Sequence, residues 1–250
     1  MKKTITSTTT DYKSKISVYF KREIRMNINY DNNNILQLKG KIIETPTYSH
    51  SVLGEGFFET KIEVKRLSQE VDILPITISE RLLGELKVGD EVAIKGQFRS
   101  YNKLEDMHSK LMLTVFVREL LPLDQAPVIN NINLVGYICK EPIYRTTPFG
   151  REIADILLAV NRAYNKSDYL PCIAWGRNAR FVKDLQVGEK LEISGRVQSR
   201  NYQKKIGEES ITKTAYEISI SNICLADEPT PLAIDNLIIT PTDSSTVVTI

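Results

Sequence analysis

The stretch Ile132–Tyr202, INLVGYICKEPIYRTTPFGREIADILLAVNRAYNKSDYLPCIAWGRNARFVKDLQVGEKLEISGRVQSRNY, decides the fold. It opens on a glycine-bearing apolar strand, passes a proline turn, and runs into a long segment in which Ala154, Ile156, Leu158 and Val160 share one parity. A period of two buries one face of a strand and exposes the other. An aromatic-flanked strand follows, from Tyr169 to Trp175, then RNARFVKDLQVGE, which fits a short helix ended by a glycine turn. The last strand, KLEISGRV, carries a glycine at its middle, the mark of a bend in a small barrel.

The same pattern occurs twice. Shifting the chain by 96 residues lays Gly40 on Gly136, Pro46 on Pro142, Val64 on Val160, Arg66 on Arg162 and Leu74 on Leu170. After a three-residue insertion the shift is 99, and Leu86, Gly89, Ile94, Gly96, Ser100 and Asn102 fall on Leu185, Gly188, Ile193, Gly195, Ser199 and Asn201. Two collinear blocks separated by one gap imply two copies of one unit. In the first copy Phe58, Thr60, Ile62 and Val64 hold the inward parity, and final strands at LMLTVFV and AYEISISN complete the two units. Each copy therefore reads as five strands with a short helix between the third and fourth. The expected fold is all-β, two tandem five-stranded Greek-key OB-fold barrels.

The expected organisation is a basic amino-terminal extension over residues 1–33, a diverged barrel over 34–120, a linker over 121–129, a second barrel over 130–226 and a tail over 227–250. Residues 1–30 carry seven bases against Asp11 and Glu23, whereas residues 214–250 contain five acids and no base. Alternation from Ile16 to Tyr30 suits either an extra strand or a local hairpin, and LAIDNLII in the tail could dock as a strand. A net charge of +2, 42% hydrophobic and 26% charged residues describe a globular chain. No apolar run approaches the ~20 residues of a membrane helix, and MKKTITSTTT lacks the apolar segment of a secretory leader, so a cytoplasmic location is expected. Cys139, Cys172 and Cys224 lie far apart in apolar runs, as buried reduced thiols do. His50 and His108 have no companion at metal spacing, and neither a phosphate loop nor a catalytic triad is visible. The reading is of a binding protein, with no enzyme activity, cofactor or metal.

The second copy resembles the bacterial single-stranded DNA-binding protein family over nearly its whole length. The resemblance rests on INLVGYICKEP with Tyr144 and Arg145 after it, the Gly150 turn, LLAVNR, CIAWGRNARFV, LQVGEKLEISGRV and SRNY. The first copy follows the outline more faintly, through LKGKIIETP, KIEVKR, LKVGDEVAIKG and SYN, so the chain looks like the tandem type of that family. The resemblance implies stacking aromatics at Tyr164, Tyr169, Trp175 and Tyr202. Single strands bind without sequence choice by stacking bases on such rings while cations follow the backbone. The accompanying bases are Arg145, Arg151, Arg162, Arg177, Arg196, Arg200, Lys204 and Lys205. Taken alone, Trp175 reads more readily as a core residue, and Tyr144 and Tyr48 could pack under a hairpin.

At the four aromatic places the first copy has Ser68, Ile73, Ser79 and Lys103, which leaves Arg66, Arg99, Tyr101 and Lys103 as its candidate contacts. The second barrel should therefore dominate affinity. The tail lacks the acidic tip that the resemblance would lead one to expect. The expected function is sequence-nonspecific binding and protection of single-stranded DNA in replication, repair, recombination or plasmid transfer. Two barrels per chain, against the family's usual four, imply a homodimer that could meet replication or repair proteins. An OB-fold scaffold for protein assembly and an RNA-binding module are the alternatives, since stacking and phosphate contacts do not read the 2′-hydroxyl.

Overall fold

The computed structural model describes residues 32–84, 86–105, 108–125, 130–206 and 209–226. The amino-terminal extension up to residue 31, residues 126–129 of the expected linker and the tail from residue 227 lie outside the described residues.

Among the described residues, twelve strands, two short α-helices and a 3-10 turn at Leu123–Gln125 make up the fold. The first half contains β1 (Asn34–Ile42), β2 (Thr47–Val52), β3 (Glu55–Lys65), β4 (Val71–Ser79), α1 (Glu80–Leu83), β5 (Glu91–Glu105) and β6 (His108–Leu121). The second contains β7 (Asn130–Ile138), β8 (Ile143–Thr146), β9 (Glu152–Arg162), β10 (Lys166–Trp175), α2 (Arg177–Val182), β11 (Lys190–Ile206) and β12 (Glu209–Leu225). Around the first half the hydrogen-bonded order is β3, β4, β6, β5, β1, and β1 closes back on β3. The second half repeats it as β9, β10, β12, β11, β7, closed by β7 on β9. Among the described strands, β4–β6 and β10–β12 pair parallel and the others antiparallel. That is the OB-fold barrel, twice. β2 and β8 are wholly exposed strands added to the outer edges of β3 and β9.

Both barrels are filled by the inward parity of their strands. Leu36, Ile62, Leu74, Ile94 and Val115 are buried in the first, and Ile132, Leu158, Leu170, Ile193 and Ile218 in the second. The core runs on from one barrel into the other. The mid-strand glycines have a steric reason: register slips at Lys95/Gly96 and Ser194/Gly195, where a Cβ would sit 2.3 Å from the carbonyl oxygens of Phe116 and Ser219. Cys172 is buried and its thiol is pushed well up by desolvation, whereas Cys139 is partly buried and Cys224 is exposed. Cys224 thus departs from expectation, because it lies opposite Glu192 on the outward parity of β12, while its neighbour Ile223 lies opposite Ile193 and packs on the core.

The two barrels share one continuous sheet through β1 and β7, which pair antiparallel with Leu36 opposite Ile132. Those residues are themselves repeat equivalents, so a pseudo-twofold axis passes between them. Polar contacts within and between the barrels obey it. Inside the first barrel Asn34 Nδ2 donates to the Phe98 carbonyl at 2.6 Å, and inside the second Asn130 Nδ2 donates to that of Val197 at 2.7 Å. Asp72 Oδ1 accepts the Ser199 N–H at 2.7 Å, and Asp168 Oδ1 accepts the Ser100 N–H at 2.7 Å. Each aspartate is fully buried and reaches into the other barrel.

Candidate nucleic-acid interface

The outer face of β9 and β10 follows from their register. Tyr169 lies opposite Ala159, Pro171 opposite Leu157, Ile173 opposite Asp155 and Trp175 opposite Ile153. Directly opposed residues of antiparallel strands point to the same side. Ala159, Leu157 and Pro171 therefore form a partly covered apolar floor between two larger rings. Tyr169 is 46% exposed and Trp175 39%. They sit at opposite ends of about 20 Å of extended strand, at roughly 3.3 Å per residue. Trp175 is not a core residue. Such a surface can receive flat aromatic ligands one after another.

The other expected rings also face solvent. Tyr202, on the part of β11 that continues with β12 beyond the barrel, is 38% exposed. Tyr164 caps the three-residue turn between β9 and β10, 94% exposed, with a left-handed φ of 61°. A non-glycine residue pays about 1 kcal/mol or more for that conformation. Tyr144, left open by the sequence, donates its hydroxyl to Glu152 Oε1 at 2.5 Å, and Glu152 also pairs with Arg180. The Tyr144 bond is the main reason the Glu152 carboxyl lies below its usual range.

The bases divide by their contacts. Arg145, opposite Ile153 and so beside Trp175, pairs with Asp155 at 2.5 Å on the exposed surface. Arg151 and Arg177 are exposed. Arg196 donates to Gln198 Oε1 at 3.1 Å, and Arg200 sits 3.4 Å from Glu217 Oε1. The side chains of Lys204 and Lys205 lie outside the described residues.

Arg66 does not belong with this surface. Its Nε and an Nη donate to the two Asp72 oxygens at 2.7 and 2.6 Å, the same Nη reaches the Ser199 carbonyl at 3.2 Å, and the side chain is only 17% exposed. It ties the barrels together. Its partner by repeat, Arg162, pairs with Asp168 at 3.2 Å, but without full hydrogen-bond satisfaction of the Asp168 Oδ2. Burial pushes the Asp168 carboxyl upward, against the Ser100 N–H and the charges of Arg162 and Arg99.

On the first barrel Ile73 is exposed at the place of Tyr169, but Ser79, at the place of Trp175, is buried. Aromatic surface exists there at other positions. Tyr48 meets Phe58 edge-on at 5.7 Å, His50 stacks on Phe57 at 5.2 Å, and the Arg99 guanidinium carbon lies 3.6 Å over Phe116. Tyr101 is 41% exposed beside them, and with Arg99, Lys103 and Phe116 it lines a groove of about 590 Å³. Sequence comparison missed His50 and Phe116 because it looked only at the four positions aromatic in the second copy. The alternation of β6 reads as strand, with nothing to show that Phe116 meets Arg99.

Residues 129–225 match the Single-strand binding protein family. Single-stranded DNA-binding protein 1 of Staphylococcus aureus is 38% identical over 87 residues, 32% of this chain and 52% of that protein. Single-stranded DNA-binding protein A of Bacillus subtilis is 35% identical over 88 residues, 32% of this chain and 51% of that protein. The chain thus spans about half the length of the curated relatives it matches. The wild-type single-stranded DNA binding protein of Thermus aquaticus superposes with a TM-score of 0.62 at 17% identity, over 85% of this chain and 96% of that one. At that identity the likeness is one of fold.

Proposed function

We propose that this chain, which carries a single-strand binding protein family domain in its second barrel, coats single-stranded DNA with little sequence preference. The observation that carries this reading is the outer face of β9 and β10, where Tyr169 and Trp175 stand open at the two ends of an apolar floor with Arg145 alongside. Stacking contributes roughly 1–3 kcal/mol per base and is indifferent to base identity, while released counterions add a salt-dependent term. Residues 130–226 form the main binding unit, and the first barrel supplies backbone contacts and the intramolecular pairing that two separate subunits would otherwise provide.

The protein acts as a non-enzymatic coat, in the cytoplasm at the nucleoid, where replication, repair, recombination or plasmid transfer exposes single strands. A homodimer would bring four barrels together and offer a surface to replication or repair proteins. Trp175 is the lone tryptophan, so its emission reports directly on the site. Titration with oligo-dT at several salt concentrations should quench it, with a slope of log affinity against log salt of about 0.7 per phosphate contact. Duplex DNA should quench weakly. Equal response to duplex, or none to oligo-dT, refutes the reading, and tighter binding of oligo-U redirects it to RNA.

A further inference from the structure

The hairpin that joins β8 to β9 ends in a turn over Thr147, Pro148, Phe149 and Gly150. The Gly150 N–H donates to the Thr147 carbonyl at 2.9 Å, the Thr147 N–H to the Arg151 carbonyl at 2.8 Å, and the Arg151 N–H to Thr147 Oγ1 at 3.1 Å. Proline suits the second place of such a turn because its ring already fixes φ, and Gly150 supplies the left-handed residue, at a φ of 73°, that closes the loop. The third place falls to Phe149, which is 93% exposed. A large ring is thus held out in water on a firmly hydrogen-bonded support.

A single exposed apolar side chain is ordinary. What sets Phe149 apart is its place. Trp175 lies opposite Ile153, Ile153 lies opposite Arg145, and the Thr147–Arg151 pair continues that outward parity up to the turn. Four residues of chain separate Ile153 from Phe149, at most about 13 Å at ~3.3 Å per residue. That is about four rises of ~3.4 Å in a stacked strand, so a strand lying on Tyr169 and Trp175 reaches the tip within a few bases. Arg151, next to Gly150, and Arg177, two residues after Trp175, are exposed at the same end.

The repeat supplies a second observation. The shift of 96 lays Leu53 on Phe149 and Gly54 on Gly150, and Leu53 is fully exposed at the tip of the corresponding β2–β3 hairpin. A hairpin tip here does not call for a ring. Phe149 is aromatic where the first copy is not, as Tyr164, Tyr169, Trp175 and Tyr202 are against Ser68, Ile73, Ser79 and Lys103. We infer that Phe149 is a further stacking ring, which receives an unpaired nucleobase from a strand running off the Trp175 end of the β9–β10 face. The inference rests on the single-strand binding reading above and extends the bound strand past Trp175.

The test uses the full-length protein and oligo-dT of about 40 nucleotides, longer than the ~4–16 that one such barrel occupies. Phe149→Ala and Phe149→Leu should each weaken binding about tenfold, with the salt slope unchanged because no phosphate contact is lost. Phe149→Tyr, which keeps a ring, should bind as the unmodified protein does, and Leu53→Ala should change nothing. In a Trp175→Phe/Phe149→Trp variant the lone indole moves to the hairpin tip, where oligo-dT should quench its emission. Full affinity in Phe149→Ala, a loss from alanine but not from leucine, or an unquenched indole at the tip overturns the stacking role while leaving single-strand binding intact. Failure of the unmodified protein to bind oligo-dT overturns the parent reading and this one with it.

Discussion

The two barrels are built on the same inward residues and differ on their outer faces. Leu36, Leu74 and Ile94 answer to Ile132, Leu170 and Ile193, all buried, and the aspartates Asp72 and Asp168 occupy matching buried places. Outside, Tyr169 answers to Ile73 and Trp175 to Ser79. A closed barrel constrains what points in and leaves what points out free to change. One copy can therefore carry Tyr169 and Trp175 where the other carries Ile73 and Ser79, on the same frame. The junction is a second contrast: Arg66 is consumed by its bidentate pair, whereas Arg162 pairs loosely and also lines open depressions.

That comparison can be broken in four ways. The largest effect should come from Asp72→Ala, which leaves the largely buried Arg66 charge without its bidentate partner and should cost about 3–5 kcal/mol in denaturant unfolding. Asp168→Ala should cost clearly less, because burial already disfavours its ionised form. Equal losses would mean the two clamps are energetically alike.

Next comes Trp175→Ala, expected to weaken oligo-dT by roughly 1–3 kcal/mol, while Ser79→Ala at the matching buried place leaves binding unaltered. A comparable loss from both would put the two faces on the same footing. Ile73→Tyr restores one ring where the first barrel already exposes an apolar side chain, and should tighten long oligo-dT by about 1 kcal/mol in a calorimetric titration. No gain would show that the strand does not pass that position.

The smallest effect is on pH dependence. The folded Asp168 carboxyl titrates above its usual range, chiefly through burial, so over that window the folded state holds a proton that the unfolded chain has released. Its contribution is fully present below the ordinary carboxylate value and is lost as pH rises through the folded one. Asp168→Asn keeps an acceptor for the Ser100 N–H and removes the titration. Thermal melts from about pH 4 to about pH 7 should show the variant gaining on the unmodified protein as pH rises, and a parallel pair of curves would contradict the assignment.

The rings were readable because Tyr169 and Trp175 lie six apart on one strand, and they do share an exposed face. Arg66 was misleading: in sequence it is one more base beside a strand, and nothing local shows that Asp72 and the Ser199 carbonyl, the latter 133 positions away, take up its donors.

By itself the chain determined two closed barrels and their inner and outer faces, because alternation is a local property that the pleat converts directly into burial. The tertiary structure alone decided which arginines are tied into the junction and which line open surface. That choice depends on the antiparallel pairing of β1 with β7, which sets each barrel's loops against the other's strands across distances no periodicity encodes.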